Sequence, residues 1–306
     1  LSRRIGLALI KRGVGVGDVV SLQLPNWWQF NVLLVACARI GAITNPLMPI
    51  FRERELRFML GFGETKVVIA PHRFRGFDYK PMIEAIRGDL PGLAQAFYID
   101  GEGEDDFATA LLGVALEDEP GAVEILAARR PGANDVYELI YTSGTTGQPK
   151  GVMHTANTTL GHLSAWVKHH DLGGSDKIFM ASPLAHQTGF LYAILQPIML
   201  GIEVVLLDRW DAPVGVELMA KHGCTFTMGA TPFLSDIVEM PNVGNFDLSR
   251  LQTFASAGAP IPPALVQKAA ANFSFKVLSG WGMTECACPT ICDPNDRDEK
   301  VWTSDG

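Results

Sequence analysis

Helical and strand-like patterns of apolar residues alternate along the first 100 residues of the chain. Apolar positions with helical spacing occupy residues 2–12, 27–40 and 52–60. Short apolar runs of strand length occupy residues 19–24, 42–45 and 66–70. This alternation predicts βαβ units and therefore a mainly parallel sheet flanked by helices.

The pattern changes between residues 101 and 134, where acidic residues are interspersed with proline and glycine. This composition predicts a solvated, variable connection between two sub-lobes. From residue 135 the alternation resumes, with predicted strands near residues 137–141, 177–180, 203–206, 226–229, 253–257 and 276–279. We therefore predict an α/β fold in which one large domain has two sub-lobes, roughly residues 1–134 and 135–306.

Charge and composition narrow the possible partners. The net charge of −8 and the pI of about 5.4 disfavour long-range attraction to nucleic acid or to an anionic membrane. The longest apolar stretch, residues 190–207, is interrupted by Pro197, Gly201 and Glu203, which favours a buried helix followed by a strand over a transmembrane segment. An odd number of cysteines, five, favours a reducing cytoplasm.

Two motif-like runs are interpreted as structural. The glycines at 13, 15 and 17 follow a predicted helix and precede a strand, so they predict a helix stop and turn, not a dinucleotide-binding loop. The cysteines at 286, 288 and 292 lack a fourth ligand at zinc spacing, which favours small buried thiols over a metal site.

The most informative segment runs from Tyr141 to Gly151, where hydroxyl residues and glycines follow an apolar strand and lead to Lys150. Glycines let backbone N–H groups approach anionic oxygens, hydroxyls add donors, and the lysine adds a point charge. A P-loop would need glycine at Pro149 and serine or threonine at Gly151, so that template fails at both positions. The segment predicts a phosphate-binding loop of another kind.

This loop resembles the signature loop of the acyl-adenylate-forming superfamily, which includes acyl-CoA synthetases, peptide-synthetase adenylation domains and luciferases. Three further segments resemble motifs of that family in the same order: residues 182–189, 255–260 and 280–285. On their own, Trp281 suggests a core residue, Glu285 a solvated carboxylate and His186 a structural histidine. The family usually has tyrosine where Trp281 stands, so stacking on a purine is kept and a phenol hydrogen bond is lost.

The resemblance implies a role for each matching residue. It assigns catalysis to Lys150, Thr284, Glu285 and His186, and Mg2+ binding to Glu285 and Thr145. It implies an acyl pocket lined by His186, Gly189, Gly229, Ala230 and Gly258. It places the nucleotide against Thr142, Ser143, Gly144, Thr145, Thr146, Gly147, Lys150, Gly258, Ala259, Pro260, Trp281, Gly282 and Thr284.

The resemblance also implies an activity: ATP activates a carboxylic acid as the acyl-adenylate, and coenzyme A then accepts the acyl group. A carrier protein as acceptor and a non-catalytic nucleotide-binding protein stay open as alternatives. No acidic residue at a motif position would pair with an amino group of the substrate, which favours a plain carboxylic acid over an amino acid. The sequence as a whole most resembles the ligases of medium-chain or alicyclic acids.

The family's ribose-binding aspartate, its hinge and its small C-terminal domain with a catalytic lysine are not found in these 306 residues. We therefore expect the chain to be part of the large domain and to form almost no acyl-CoA by itself. The sequence leaves the oligomeric state open.

Overall fold

The computed structural model describes residues 1–142 and 149–306, which fold as two compact units. The first unit comprises Leu1–Asn157 and the second Thr158–Gly306. Each unit contains a six-stranded sheet in which most neighbouring strands are parallel. The predicted α/β class with mainly parallel sheets is confirmed.

The sheet of the first unit has the strand order β6-β3-β1-β2-β7-β8. Neighbouring strands are parallel except β7 and β8, which form an antiparallel pair at one edge. A separate two-stranded hairpin pairs β4 with β5. The strands are β1 (Val19–Leu22), β2 (Ile43–Pro46), β3 (Thr65–Pro71), β4 (Arg73–Phe74), β5 (Phe77–Asp78), β6 (Gln95–Ile99), β7 (Val136–Thr142) and β8 (Lys150–Thr155).

Five α-helices belong to the described part of the first unit: α1 (Ser2–Lys11), α2 (Trp28–Ile40), α3 (Glu53–Phe62), α4 (Tyr79–Arg87) and α5 (Ala122–Ala127). Gly13 and Gly17 follow α1 with φ angles of 90° and 82°, so the predicted helix stop and turn is confirmed. The helices α3 and α4 pack with β3 and β6 around a core that includes Leu56, Ile83 and Tyr98.

The acidic segment of residues 101–134 is largely exposed, as its composition predicts, but it also contains buried apolar residues. Phe107 and Leu111 are 3% and 1% exposed, and the segment also buries Leu116 and Leu126. The carboxylate of Glu117 lies 2.7 Å from the guanidinium of Arg4 in α1. The segment therefore belongs to the first unit, with its acidic side chains exposed or half-buried and some of its apolar side chains buried. Strands β7 and β8 then extend the first sheet, so the first unit continues past the predicted boundary near residue 134.

The sheet of the second unit has the order β10-β9-β11-β12-β13-β14, and only its edge strand β14 is antiparallel to its neighbour. Its strands are β9 (Lys177–Met180), β10 (Glu203–Leu206), β11 (Phe226–Gly229), β12 (Thr253–Ser256), β13 (Lys276–Met283) and β14 (Ala287–Ile291). The chain between β9 and β10 is helical from Gln187 to Leu200, which confirms the predicted buried helix followed by a strand.

The helices of the second unit cover its sheet and bury an apolar core. Phe179, Val216 and Phe254 are buried in this core between sheet and helices. The helices are α6 (Ala156–His169), which begins in the first unit, α7 (Gln187–Phe190), a π-helical turn (Leu191–Leu195), α8 (Gln196–Leu200), α9 (Ala212–His222), α10 (Thr231–Val238), α11 (Pro263–Asn272) and α12 (Asp298–Thr303).

Candidate active site

The two strands that flank the glycine-rich loop are an antiparallel pair in the first unit. Thr142 ends β7, Lys150 begins β8, and the two residues are register partners. Lys150 is exposed. The hydroxyl of Tyr141 donates a hydrogen bond to the carbonyl of Met59 at 2.9 Å, and burial raises the pKa of this phenol to about 12. The predicted ligands Ser143, Gly144, Thr145, Thr146 and Gly147 lie outside the described residues.

A cavity of about 220 Å³ opens in the second unit at the carboxyl ends of its parallel strands. Ligands of open α/β sheets bind at this edge, because the loops that follow the strands converge there. Four residues predicted for the site lie in the wall of this cavity: His186, Gly258, Gly282 and Thr284. The loops after β9, β12 and β13 thus bring together three separate sequence motifs.

His186 caps the helix that forms one side of the cavity. Its backbone is extended, and its Nδ1 accepts a hydrogen bond from the N–H of Thr188 at 3.2 Å. The imidazole reaches solvent on one side, while the protein packed around the rest of the ring desolvates it and lowers its pKa. The ring is therefore neutral at pH 7.

At two positions in the cavity wall, the backbone conformation or a close backbone contact requires glycine. Gly258 has a φ of 90°, a conformation that residues with a side chain rarely adopt. At Gly282, a Cβ atom would lie 2.1 Å from the carbonyl oxygen of Ala287 on the neighbouring strand. Both positions keep the backbone at the cavity edge free of side chains.

The remaining residues of the predicted nucleotide and metal sites flank this wall. Trp281 in β13 is 52% exposed, so a face of its indole is available for stacking. Glu285 follows Thr284 directly and is exposed. Ala259 and Pro260 line a separate open groove with Thr231, whose hydroxyl lies 3.3 Å from both of their carbonyl oxygens.

Three residues predicted for the acyl pocket, Gly189, Gly229 and Ala230, are not in the described wall of the cavity. A Cβ atom at Gly189 would meet the carbonyl oxygen of Pro183 at 2.2 Å, and one at Gly229 would meet the ring of Phe233 at 2.8 Å. These two glycines permit close packing inside the protein. Ala230 precedes α10 as its N-cap residue.

Motif reasoning missed most of the cavity wall. The additional wall residues come from the helix after His186, from β11, from the end of β12, and from β13 and β14: Gln187, Thr188, Leu191, Tyr192, Met228, Ala257, Met283, Ala287 and Cys288. For the helix, the spacing in the sequence could have predicted these wall residues. Residues 187 and 191 are four apart, as are residues 188 and 192, and residues four apart lie on the same face of a helix.

Two histidines, His162 in α6 and His170 directly after it, pack against aromatic residues. The Nε2 of His162 lies 2.8 Å from the hydroxyl of Tyr192, which is in the cavity wall. His170 is 9% exposed and packs against the rings of Trp166 and Phe226, with centroid distances of 4.3 and 5.3 Å. Burial lowers the pKa of His170 to about 3. The sequence did not reveal this burial because the facing aromatic residues are distant along the chain.

Other features also bear on the sequence predictions. All five cysteines are free; Cys288 and Cys292 are buried as predicted, whereas Cys286 is exposed. Residues 1–142 and 149–306 contain no cluster of three or more His, Cys, Asp or Glu side chains that could hold a metal ion. Within the same ranges, no helix is both long and apolar enough to cross a membrane.

Comparison with known proteins identifies relatives of this chain. The medium-chain fatty-acid–CoA ligase of Escherichia coli is 30% identical over 298 residues, which cover 97% of this chain and 52% of that protein. The long-chain-fatty-acid–CoA ligase FadD13 of Mycobacterium tuberculosis is 30% identical over 307 residues, covering 99% of this chain and 57% of that protein. The chain thus spans just over half the length of these relatives.

The fold has a counterpart among solved structures. The crystal structure of the N-terminal domain of FACL13 from Mycobacterium tuberculosis is 26% identical and superposes with a TM-score of 0.83, covering 98% of this chain and 71% of that one. A family described as "AMP-binding enzyme" matches residues 1–305. The chain belongs to the AMP-binding enzyme family.

Proposed function

We propose that this chain is the nucleotide- and acyl-binding part of an acid–thiol ligase that forms acyl-CoA from a carboxylic acid, ATP and coenzyme A. The observation that carries the proposal is the cavity at the carboxyl ends of the second sheet, where His186, Gly258, Gly282 and Thr284 meet. The relatives named as fatty-acid–CoA ligases support the same activity. The free cysteines support a reducing cytoplasm as its location.

The proposed reaction has two steps. A carboxylate oxygen of the acid attacks the α-phosphorus of ATP, the bond to the bridging oxygen breaks, and pyrophosphate leaves. The thiolate of coenzyme A then attacks the acyl carbonyl carbon, and AMP leaves with the bonding electron pair. Catalysis of the first step requires in-line positioning and donors for the charge on the phosphates.

The residues of this chain provide binding and orientation in that scheme. The exposed ammonium of Lys150 would neutralise the β- and γ-phosphates, and the hydroxyl of Thr284 would donate to the α-phosphate. The exposed indole of Trp281 would stack on the adenine. The neutral imidazole of His186 would form the wall between the acyl group and the nucleotide.

The described residues suit a magnesium ion carried in with ATP better than a protein-bound cation. Mg2+ in nucleotide sites is held by one or two carboxylates together with phosphate oxygens and water. Exposed Glu285, next to Thr284, is the carboxylate we propose for this role. When bound, the cation would neutralise phosphate charge.

The size of the cavity sets the proposed substrate class. An apolar cavity of roughly 150 Å³ holds one benzene ring, so about 220 Å³ fits one ring or a medium-length chain. Leu191, Met228 and Met283 supply apolar surface in its wall. We therefore propose a compact medium-chain, alicyclic or aromatic acid as the substrate.

Carboxylate-dependent ATP–pyrophosphate exchange by the full-length protein tests this function. Exchange should require an acid from a panel of six- to ten-carbon carboxylates, and mass spectrometry should detect the thioester after coenzyme A is added. Absence of exchange with every acid, in a protein that binds ATP, would overturn the proposed ligase activity.

Replacing Lys150 by alanine is expected to weaken ATP much more than AMP. A charge-assisted hydrogen bond contributes about 1.5–3 kcal/mol, so the affinity for ATP should fall roughly 10- to 150-fold. Calorimetric titration with each nucleotide measures both values, and the exposed Lys221 of α9, replaced by alanine, is the control. Equal losses for ATP and AMP would move Lys150 away from the outer phosphates.

Replacing Glu285 by glutamine is expected to reduce the contribution of Mg2+ to ATP binding. Glutamine keeps the shape but removes the charge, so the gain in ATP affinity on adding Mg2+ should shrink by about tenfold, the equivalent of one lost ionic contact. The affinity for adenosine should stay the same. Calorimetric titrations of ATP with and without Mg2+ measure this change. If Mg2+ raises the ATP affinity of the variant as much as that of wild type, Glu285 does not bind the metal.

A further inference from the structure

Tyr192 contacts both the cavity and helix α6. It is one of the residues that line the cavity, and it is only 1% exposed. On the side of α6, its ring centroid lies 4.4 Å from that of Trp166, and its hydroxyl oxygen lies 2.8 Å from the Nε2 atom of His162. Tyr192 therefore forms the part of the wall that separates the cavity from α6.

The phenol of Tyr192 lies between α6 and strand β14. Burial raises the pKa of this phenol well above its usual value, and the nearby Cys288 of β14, another residue of the cavity wall, raises it further. Burial also lowers the pKa of the half-buried His162. A protonated phenol thus meets a neutral imidazole, and these two groups can share a hydrogen bond that holds the ring in place.

Aromatic rings fill the space on the far side of Tyr192. Trp166, His170 and Phe226 are all buried there, with ring centroids 4.3 Å apart for Trp166 and His170 and 5.3 Å apart for His170 and Phe226. A protein interior relaxes only partly when a buried side chain is truncated. Loss of the phenol ring would therefore leave new apolar space between the cavity and Trp166.

We propose that Tyr192 is a specificity-determining residue whose ring limits the length of the acyl group in the cavity, and that His162 is the positioning residue that holds this ring. The substrate class becomes a carboxylic acid whose chain or ring ends against Tyr192. This inference deepens the proposed ligase function and rests on it.

Tyr192→Ala tests the role of the ring. The full-length protein is assayed by ATP–pyrophosphate exchange, and kcat/KM is measured for straight-chain acids of four to sixteen carbons. The variant should prefer an acid at least two carbons longer than the best acid of wild type. Each methylene buried in the new space contributes about fourfold, so the preference for the wild-type optimum over the acid two carbons longer should fall by roughly 15-fold.

His162→Leu and Tyr192→Phe test the hydrogen bond, because each variant removes one of its two partners. A single hydrogen bond contributes roughly 2- to 12-fold, and each variant should lower the same preference by that factor. The double variant should lose no more than either single variant, since both remove the same contact. His162→Gln can still hydrogen-bond the phenol and should keep more of the wild-type preference than His162→Leu.

Tyr98→Phe is the matched control for the loss of a buried tyrosine hydroxyl. Tyr98 is fully buried in the first unit, where its hydroxyl donates a hydrogen bond to the carboxylate of Glu84 at 3.1 Å. This variant should keep the chain-length preference of wild type. Thermal denaturation checks that every variant folds, and Tyr192→Leu replaces Tyr192→Ala if the alanine variant is unstable.

Two results would overturn the inference. If Tyr192→Ala keeps the chain-length optimum of wild type, even with a uniform loss on all acids, the ring does not limit the acyl group. If His162→Leu keeps the wild-type preference, His162 does not position the ring. If no acid supports exchange, the ligase proposal fails, and calorimetric titration of the same acids into wild type and Tyr192→Ala tests the ring separately. Equal dependence of affinity on chain length would overturn the role of Tyr192 there also.

Discussion

Gly189→Ala is expected to destabilise the second unit by about 3 kcal/mol or more. The added Cβ atom would lie 2.2 Å from the carbonyl oxygen of Pro183, 2.6 Å from its carbonyl carbon and 2.8 Å from the Cα atom of Leu184. All three contacts are to backbone, which cannot rotate away as a flexible side chain would. Overpacking of buried sites usually costs about 1–3 kcal/mol, and a contact this short belongs at or above the upper end.

Gly161→Ala is the matched control, because it adds the same methyl group to another helix. Gly161 lies inside α6 and is exposed, and a Cβ atom there would have no atom within 4 Å. Alanine in a helix interior is favoured over glycine by roughly 0.5–1 kcal/mol, so this variant should be slightly more stable than wild type. Urea denaturation followed by circular dichroism and tryptophan fluorescence measures both variants.

The effect at Gly189 should extend to the cavity. The segment from Pro183 to Gly189 includes His186, and the helix that continues from it carries Gln187 and Tyr192 into the wall. Displacement of this helix by the new methyl group would therefore also change the wall of the proposed acyl-binding cavity. A Gly189→Ala protein as stable as wild type would show that the helix does not pack on the Pro183 backbone in this way.

The strands of the second unit could be predicted from the sequence where they are short, apolar and bounded by turns. The predicted limits of β9, β10 and β11 coincide with those in the structure. The edge strand β14 was missed because Pro289 and several exposed residues give it no regular apolar pattern. Strand β8 was missed because Lys150 and Gly151 were assigned to the phosphate loop.

The wall of the cavity was harder to predict than the strands. Side chains alternate between the faces of a strand, so a single residue decides which one faces the cavity. Met228 lies in the wall, whereas a side chain at the next residue, Gly229, would meet Phe233. The motifs lie at the strand ends that border the cavity, but only tertiary packing determines which residue of each pair lines it.

The histidines at 162, 169 and 170, which lie in α6 or directly after it, were also difficult to interpret from the sequence. Residues 162, 166 and 169 recur at helical spacing, yet the histidines at 162, 169 and 170 do not by themselves indicate that they face aromatic residues. In the structure, Tyr192 and Phe226 cover that face with aromatic rings. The packing of His170 in this environment makes the stability of the unit depend on pH.

His170→Phe is expected to remove much of the loss of stability on acidification. The pKa of His170 is about 3 in the folded protein, against about 6.5 when unfolded. Below about pH 6.5, the unfolded chain therefore binds a proton that the native chain does not, and the free energy of unfolding falls by about 1.4 kcal/mol per pH unit. From about pH 7.5 to about pH 5, the loss attributable to His170 is roughly 2 kcal/mol.

Phenylalanine keeps an aromatic ring against Trp166 and Phe226 but cannot be protonated, so its stability should fall less over the same pH range. The desolvation of His170 is the main cause of its low pKa; neighbouring His169 lowers it further, while Asp293 opposes the shift. His162 and His186 also have lowered pKa values and should leave some pH dependence in the variant. His222→Phe, a substitution of an exposed histidine, is the control and should keep the wild-type slope.

Urea denaturation at a series of pH values measures the slopes, and NMR titration of the imidazole carbon-bound protons tests the cause directly. A His170 resonance that titrates near pH 6.5 in the folded protein, or an unchanged slope in His170→Phe, would contradict the burial of a neutral imidazole at this position.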